Sequence, residues 1–310
     1  MRYRSTATIL LSVFALSALH PGFAQGPIRA RMMERMRAQA EADRPEGGTE
    51  MAYGTSPMQT LRLWKGAGVK APLVIFVHGG GWRMGSKETA TGKAKVTHLT
   101  GEGYALASLD YRLVPEATVE QQAQDVAAGI AYLVRNAATL GIDPGRIVIM
   151  GHSAGAHLVA LVGTDPKWLA EQGLSLNAIR GVIALDGAAY DVPAQMQDGP
   201  QVMQKVYAQA FGMDPARQRA LSPTQQAAAP NAPAFLLLHI QREDGTRQTE
   251  ALAAALRKAG TSVTVQGFDG QGLQGHMEIN RRLGEADYPA TPALDGWLSS
   301  LLRDGPRSPR

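Results

Sequence analysis

The chain has 310 residues, of which 45% are hydrophobic, and it contains no cysteine. This composition supplies enough apolar surface for one large domain or two small ones, and it argues against a disordered or fibrous protein. Without cysteine there is no disulfide framework, no thiolate metal site and no catalytic thiol.

The first residues have the pattern of a secretory signal peptide. Arg2 and Arg4 precede an apolar stretch over residues 7–19, and small residues at Gly22 and Ala24 precede a predicted cleavage site before Gln25. The apolar run is shorter than the roughly 20 residues that a bilayer-spanning helix needs, and no later segment could span. We therefore predict that residues 1–24 are a cleaved signal peptide, that the protein is secreted or periplasmic, and that no integral membrane span remains.

Charge argues against a nucleic-acid partner. Removing residues 1–24 takes away two arginines and no acid, which lowers the formal net charge from +4 to +2. The basic residues that remain gather in "RARMMERMR" and in the tail "RDGPRSPR" at residues 303–310, and they do not form a face for binding phosphates.

The segment 25–59 has the composition of an N-terminal extension with a short exposed helix and a Pro/Gly linker. From residue 60, short apolar runs alternate with helical patterns, which is typical of βα units around a mostly parallel central sheet flanked by helices. The predicted α/β domain covers residues 60–302. Its predicted strands lie near residues 60–64, 72–77, 104–109, 146–150, 179–185, 234–240 and 261–268.

Two helices and one insertion complete the predicted domain. Apolar residues at steps of three and four predict a helix over 118–137, and a second runs from about Arg247 to Ala259 and ends at Gly260. Residues 187–230 are rich in Gln, Ala and Pro and contain helical stretches without a strand pattern. A segment this long between strands favours a small helical cap or lid insertion over an unstructured loop.

The motif Gly151, Ser153, Gly155 stands directly between the strand "RIVIM" and a helix-forming run. A G-x-S-x-G sequence in this context predicts a sharp turn that raises the serine hydroxyl above the sheet edge. The following amide, that of Ala154, begins a helix and can donate to an anion. Ser153 is therefore the predicted nucleophile.

A second motif, "VHGGGW", follows the strand at 72–77. Consecutive glycines let the backbone amides approach a ligand closely. We predict that the amides of Gly80, Gly81 and Ala154 form an oxyanion hole, that His78 positions the loop and that Trp82 packs in the wall or core. A phosphate-binding loop would need a G-x-x-x-x-G-K-[ST] spacing, which this segment lacks.

A serine nucleophile needs a general base, and two histidines are placed to serve. His239 ends a predicted strand and would be wedged between the sheet and the next loop. His276 lies in the glycine-rich segment "GFDGQGLQGHMEINRRLG" just after the last strand, where a side chain can reach over the sheet edge. We predict that His276 is the base.

The acid that orients the histidine should follow a late strand. Asp244 in "HIQREDGTR" fits best after the strand at 234–240. Glu243 is adjacent to it, and Asp186 closes the strand before. Asp244 is the predicted acid, with Asp186 and Glu243 as alternatives.

The segments "HGGGW", "LDYRL", "GIDPGRIVIMGHSAGAHLVAL" and "GHMEINRRLG" resemble the α/β-hydrolase superfamily, specifically its secreted carboxylesterases related to hormone-sensitive lipase and kynurenine formamidase. The resemblance covers about residues 60–302. It implies a Ser, Asp, His triad on Ser153, Asp244 and His276, an oxyanion hole at Gly80, Gly81 and Ala154, no cofactor or metal, and a helical cap over the acyl pocket. One departure concerns the acid, because "HIQREDGTR" lacks the glycine after the histidine and the final V-P of the H-G-x-x-D-x-x-V-P segment that such enzymes have.

These patterns predict a serine hydrolase that cleaves a small-molecule carboxylic ester through an acyl-enzyme. Hydrolysis of an aryl formamide is the alternative, since the same loop and turn occur in formamidases. A non-catalytic binding module on a hydrolase fold is a further alternative, against which the retained Ser, His and acid argue. The acyl group, the alcohol and the oligomeric state are not specified by the sequence.

Overall fold

The structure, a computed structural model, describes residues 38–302 together with residues 31 and 34. The predicted signal peptide and the tail at 303–310 lie outside the described residues. Up to residue 42, which belongs to a separate N-terminal unit, the backbone is helical at 31, 34 and 38–42. Residues 43–302 belong to one compact unit.

Eight strands form a single sheet in the compact unit. They are β1 (Thr49–Ala52), β2 (Thr60–Trp64), β3 (Ala71–Val77), β4 (Ala105–Leu109), β5 (Ile142–His152), β6 (Gly181–Leu185), β7 (Ala234–Ile240) and β8 (Ser262–Phe268). The order across the sheet is β1-β2-β4-β3-β5-β6-β7-β8. β2 runs antiparallel to both β1 and β4, and the other neighbouring strands are parallel. The predicted mostly parallel sheet is confirmed.

Thirteen α-helices lie in the described part of the compact unit. They are α1 (Lys87–Ala90), α2 (Lys93–Gly101), α3 (Val119–Arg135), α4 (Ala137–Leu140), α5 (Ala154–Thr164), α6 (Lys167–Ala170), α7 (Val192–Asp198), α8 (Gln204–Phe211), α9 (Pro215–Ala220), α10 (Pro223–Gln226), α11 (Glu243–Lys258), α12 (Gly272–Arg281) and α13 (Ala290–Leu302). No helix among the described residues is long and apolar enough to cross a bilayer.

Both faces of the sheet are buried, which explains why its central strands are continuous apolar runs. Successive side chains of a strand point to opposite faces. In β3, Ile75 and Val77 belong to one hydrophobic core, and Val74 and Phe76 belong to the other. Helices α3, α5 and α11 contribute to the first core, and α2, α12 and α13 contribute to the second. The sheet is therefore a rigid middle layer, and its edges are where polar chemistry can be placed.

The segment 187–230, here called the cap segment, contains the four short helices α7 to α10 and connects β6 to β7. Aspartates cap two of these helices: Asp191 accepts a hydrogen bond from the amide of Ala194 at the start of α7, and Asp214 accepts one from the amide of Ala216 at the start of α9. The described cap segment contains no strand, as the sequence predicts.

The parallel register brings the carboxyl ends of the central strands to one edge. Val77 of β3 pairs with Gly151 of β5, and His152 of β5 pairs with Leu185 of β6. The chain that leaves each of these strands therefore begins at the same edge. In doubly wound sheets this edge is where ligands bind.

Candidate active site

Ser153 occupies a tight turn between β5 and α5. Its backbone has φ 56° and ψ −119°, a conformation that is uncommon for a residue with a side chain and costs free energy. The amide of Ser153 donates to the carbonyl of Leu185 at 3.0 Å, which ties the turn to the end of β6. The predicted strained turn is present at this serine.

The flanking glycines are required by close backbone contacts. A Cβ on Gly151 would lie 2.2 Å from the carbonyl oxygen of Gly155, and a Cβ on Gly155 would lie 2.1 Å from that of Val77. Neither distance is possible for real atoms. The G-x-S-x-G pattern is thus the sequence that allows α5 to start directly against β3 and β5.

The triple-glycine loop lies against this turn. A Cβ on Gly79 would be 2.9 Å from the Cβ of Ser153, and Gly80 and Gly81 have φ values of 123° and 59°. No described residue accepts a hydrogen bond from the amides of Gly80 or Gly81. The amide of Ala154, the first residue of α5, has no acceptor within the helix. Unpaired amides beside a serine can stabilise an oxyanion.

Trp82 anchors the loop to the core and to the cap segment. Its Nε1–H donates to Nδ1 of His157 at 3.3 Å, and its ring packs edge-on against those of Tyr207 and Phe211. His157 in turn donates from Nε2 to the carbonyl of Leu221 at 2.8 Å. Complete burial lowers the pKa of His157 to about 4, so this histidine is neutral and can accept from the tryptophan.

His78 holds the other end of the loop. Its ring is fully buried and stacks on Tyr111 with 4.3 Å between centroids, while Nδ1 donates to the carbonyl of Gly79 at 2.8 Å. Burial lowers the pKa of His78 in spite of the nearby Asp110 carboxylate. The residue therefore positions the glycines, as the sequence predicts.

His276 lies in the first half of helix α12, which forms within the glycine-rich segment after the last strand. Its ring lies tilted by 36° against that of His152, the residue next to Ser153, with 4.6 Å between the ring centroids, and Nε2 of His152 donates to the carbonyl of His276 at 2.8 Å. Burial holds the pKa of His152 well below its ordinary value, so this neighbour is neutral. These contacts hold His276 beside the serine turn.

Asp186 is the carboxylate that contacts His276. Nδ1 of His276 donates to Oδ2 of Asp186 at 2.5 Å, and Oδ1 accepts the amide of Ile240 at 3.2 Å. Asp186 is fully buried directly after β6, with φ 41°. Burial by itself would raise its pKa, but the hydrogen bond and charge of His276, the charge of Arg242 and the Ile240 amide together lower it below the ordinary value.

The prediction that Asp244 contacts His276 is wrong. Helix α11 begins at Glu243, four residues earlier than predicted, so Asp244 lies in its first turn instead of in a loop. There Oδ2 of Asp244 accepts from Nη1 of Arg242 at 3.0 Å and from Nε2 of Gln195 at 3.2 Å. Glu243 is 89% exposed and pairs with Arg247 at 2.5 Å. Asp186, the alternative named from the sequence, takes the position beside the histidine.

The remaining candidates have other surroundings. His239 is buried at the end of β7, where Nδ1 donates to the carbonyl of Ile240 at 2.9 Å, so its ring is held by its own strand and not by Asp186. Among the described residues, no group of three or more acidic or histidine side chains is arranged to hold a metal ion.

A mostly parallel sheet with a serine turn after β5 and a His–Asp pair at the same edge defines an α/β-hydrolase fold. A family model described as BD-FAE matches residues 61–246, more than half of the chain, and the protein belongs to this family.

The relatives with similar sequences are esterases. Esterase LipC of Mycobacterium tuberculosis is 32% identical over 202 residues, which cover 62% of this chain and 50% of LipC. Isoprenylcysteine alpha-carbonyl methylesterase ICME of Arabidopsis thaliana is 33% identical over 189 residues, which cover 59% of this chain and 41% of ICME. The chain thus spans half the length of these relatives or less.

Solved structures share the fold. Esterase B from Lactobacillus rhamnosis superposes with a TM-score of 0.71 at 22% identity and covers 90% of this chain and 94% of its own. The butyrate-bound esterase Est2 from Thermogutta terrifontis gives 0.67 at 23% identity and covers 84% of this chain and 97% of its own. At these identities the likeness supports the fold alone.

Proposed function

We propose that this protein is a serine hydrolase that cleaves carboxylic esters through an acyl-enzyme. The observation that supports it most is the His276–Asp186 hydrogen bond of 2.5 Å at the same sheet edge as the strained Ser153 turn. Nucleophile, base and orienting acid are the three parts that such a reaction needs. The esterase relatives support the same reaction class.

In the first half of the proposed reaction, Oγ of Ser153 attacks the ester carbonyl and His276 takes the hydroxyl proton at Nε2. Asp186 accepts the Nδ1–H of His276, which fixes the tautomer with a free Nε2 and stabilises the imidazolium. The carbonyl oxygen becomes an oxyanion beside the amides of Gly80, Gly81 and Ala154. His276 then returns the proton to the departing alcohol.

In the second half, water replaces the alcohol. His276 removes a proton from the water, the hydroxide attacks the acyl-serine carbonyl, and the same amides stabilise the second oxyanion. Collapse of this intermediate releases the carboxylic acid and returns the proton to Ser153. Neither half needs a cofactor or a metal ion.

A panel of p-nitrophenyl esters of increasing acyl length, run beside an N-formyl aryl amine, tests the substrate class. We expect saturable ester hydrolysis that disappears in Ser153→Ala. The relatives named above are esterases, and none of their names points to formamide hydrolysis. Faster turnover of the formamide than of every ester would overturn the proposal, and so would inactivity on the whole panel.

We propose that the protein is secreted or periplasmic, and this proposal rests on the sequence alone. The pattern of residues 1–24 supports export followed by cleavage before Gln25. Sequencing the amino terminus of the protein recovered from the periplasm or the medium tests this. An intact Met1 in the membrane fraction would contradict it.

A further inference from the structure

The guanidinium of Arg242 lies between two carboxylates. Its Nε is 3.6 Å from Oδ2 of Asp186, and its Nη1 donates to Oδ2 of Asp244 at 3.0 Å. Nη2 donates to the carbonyl of Gly187, the residue after Asp186, at 3.2 Å. Nε is buried and has no hydrogen-bond partner among the described residues, so its interaction with Asp186 is one of charge. Arg242 thus contacts both the proposed acid and the turn that carries it.

Asp244 is fixed in place from the cap side. Its Oδ2 accepts from Nε2 of Gln195, a buried residue of α7 that also donates from Nε2 to the hydroxyl of Tyr207 at 3.1 Å. The other side of the guanidinium rests on Gly245, where a Cβ would fall 2.9 Å from Nη2 of Arg242. These contacts leave Arg242 little freedom to move away from Asp186.

The carboxylate of Asp244 sets the net charge of the cluster around His276. With His276 neutral, the set of Asp186, Arg242, Asp244 and His276 carries a net charge of about −1, and it becomes neutral when His276 takes the serine proton. Without Asp244 the same step would create a net positive charge in a largely buried cluster, which is costly. Asp244 therefore offsets the positive charge of Arg242, so that Arg242 can bind Asp186 without destabilising the protonated form of His276.

We propose that Arg242 and Asp244 are positioning residues of the active site, through which Arg242 holds Asp186 and its turn while Asp244 offsets the arginine's charge on His276. The inference rests on the proposed function, since it assigns His276 as the base. Neither residue needs to touch the substrate. The pair would also connect the cap segment, through Gln195, to the reacting histidine.

The other titratable groups near this cluster do not change the charge balance between Arg242 and Asp244. They are His152 on β5, Lys95 on α2, Glu278 on α12, Tyr190 and Tyr207 in the cap segment, and Tyr288 before α13. Burial lowers the pKa of His152 and raises that of each tyrosine, so all four are neutral near pH 7. Burial lowers the pKa of Lys95 to about 7, but Lys95 and Glu278 are both present in the wild type and in every variant, so neither causes a difference between them.

The test is the pH dependence of kcat/KM for p-nitrophenyl acetate, repeated as the rate of inactivation by an organophosphonate. Removing the positive charge in Arg242→Met should move the acid limb up by about one pH unit, since the protonated base is then favoured. Removing the negative charge in Asp244→Asn should move the limb down by a similar amount and lower the plateau several-fold. The double variant should return the limb toward the wild-type position.

An exposed ion pair on the same helix gives matched controls. Arg247 and Glu243 have side chains that are 50% and 89% exposed, and they pair with each other at 2.5 Å. Arg247→Met and Glu243→Gln remove the same charges from α11, where water screens them, and should leave the pH profile unchanged.

Shifts in the same direction for Arg242→Met and Asp244→Asn, or no shift in either, would overturn the proposal. If Arg242→Met does not fold, the direction of the Asp244→Asn shift in the acid limb tests the proposal by itself. Gly245→Ala gives a second test, because it displaces the guanidinium without removing its charge and should lower kcat. Failure of the proposed function is distinguishable, because the wild type would then show neither ester turnover nor labelling at Ser153.

Discussion

Nδ1 of His276 and Oδ2 of Asp186 lie 2.5 Å apart although 90 residues separate them in the chain. The contact joins the end of β6 to helix α12, across the end of β7. It defines which carboxylate can orient the histidine, and it leaves Asp244 with a different partner in Arg242. The first prediction depends on this assignment.

Asp186→Asn should lower kcat by about 10⁴-fold while the fold is retained, because an amide can hold the imidazole in the wrong tautomer. Steady-state kinetics with circular dichroism measures both properties. Glu243→Gln, at an exposed position on α11, is the control and should be close to the wild type. A near-normal kcat for Asp186→Asn would show that another group orients His276.

Gly80→Ala should lower kcat by about 10²-fold to 10³-fold, the usual loss when one oxyanion donor is displaced. The reason is steric: a Cβ on Gly80 would lie 2.0 Å from the carbonyl oxygen of Met84, at a φ of 123°, so the loop must move. Gly260→Ala is the control, since it adds a Cβ at φ 77° with nothing within 4 Å. We expect the control to lose stability by about 1 kcal/mol, the cost of a Cβ in a left-handed conformation, without losing kcat.

Val206→Ala should increase kcat/KM several-fold for longer acyl chains relative to acetate. Val206 is a buried residue of α8 in the cap segment, and its Cγ1 lies 3.0 Å from the position of a Cβ on Gly81. Removing its methyl groups opens space next to the proposed oxyanion loop. Val202→Ala, at a position in the same segment that is 79% exposed, should leave the chain-length profile unchanged. Equal profiles for Val206→Ala and wild type would place the acyl chain elsewhere.

His157 should make the fold sensitive to acid. Its pKa is about 4 in the folded protein because of burial, below the value of 6.5 expected when unfolded, so the unfolded chain binds more protons between these values. Stability should therefore fall as pH drops from 6.5 toward 4, by roughly 3 kcal/mol at most from this residue.

His157→Gln removes the titrating group and leaves His152, which shifts in the same direction, in place. Urea unfolding at several pH values between 7 and 4.5 should show a smaller loss of stability for the variant than for the wild type. Parallel stability curves for the two proteins would mean that His157 is not the group responsible.

The main elements were predictable because their patterns are strong. The seven predicted strands correspond to β2 through β8, and the helix expected over 118–137 is α3 at Val119–Arg135. Strand β1 was missed because its four residues, TEMA, are mostly exposed and show no apolar alternation. The segment is a strand because its backbone pairs with β2, not because its own sequence has a strand pattern.

The acid was harder to predict because two neighbouring strands end at the same place. The amide of Asp186 donates to Leu238 of β7 at 2.7 Å, and Oδ1 of Asp186 accepts from Ile240, so the residues after β6 and β7 are adjacent in space. Sequence patterns cannot show which carboxylate the histidine meets. Asp244 bonds to Arg242 and not to His276 because helix α11 begins at Glu243 and places Asp244 in its first turn.

The central claim is that Ser153 is the nucleophile of an ester hydrolase, and covalent labelling tests it most directly. Incubation with an organophosphonate, followed by digestion and mass spectrometry, should place one phosphonyl group on Ser153 and abolish ester hydrolysis in parallel. Ser153→Ala should be neither labelled nor active, and Ser222→Ala, which changes a buried serine of the cap segment, should still be labelled at Ser153. Labelling of a different serine, or full activity in Ser153→Ala, would contradict the account.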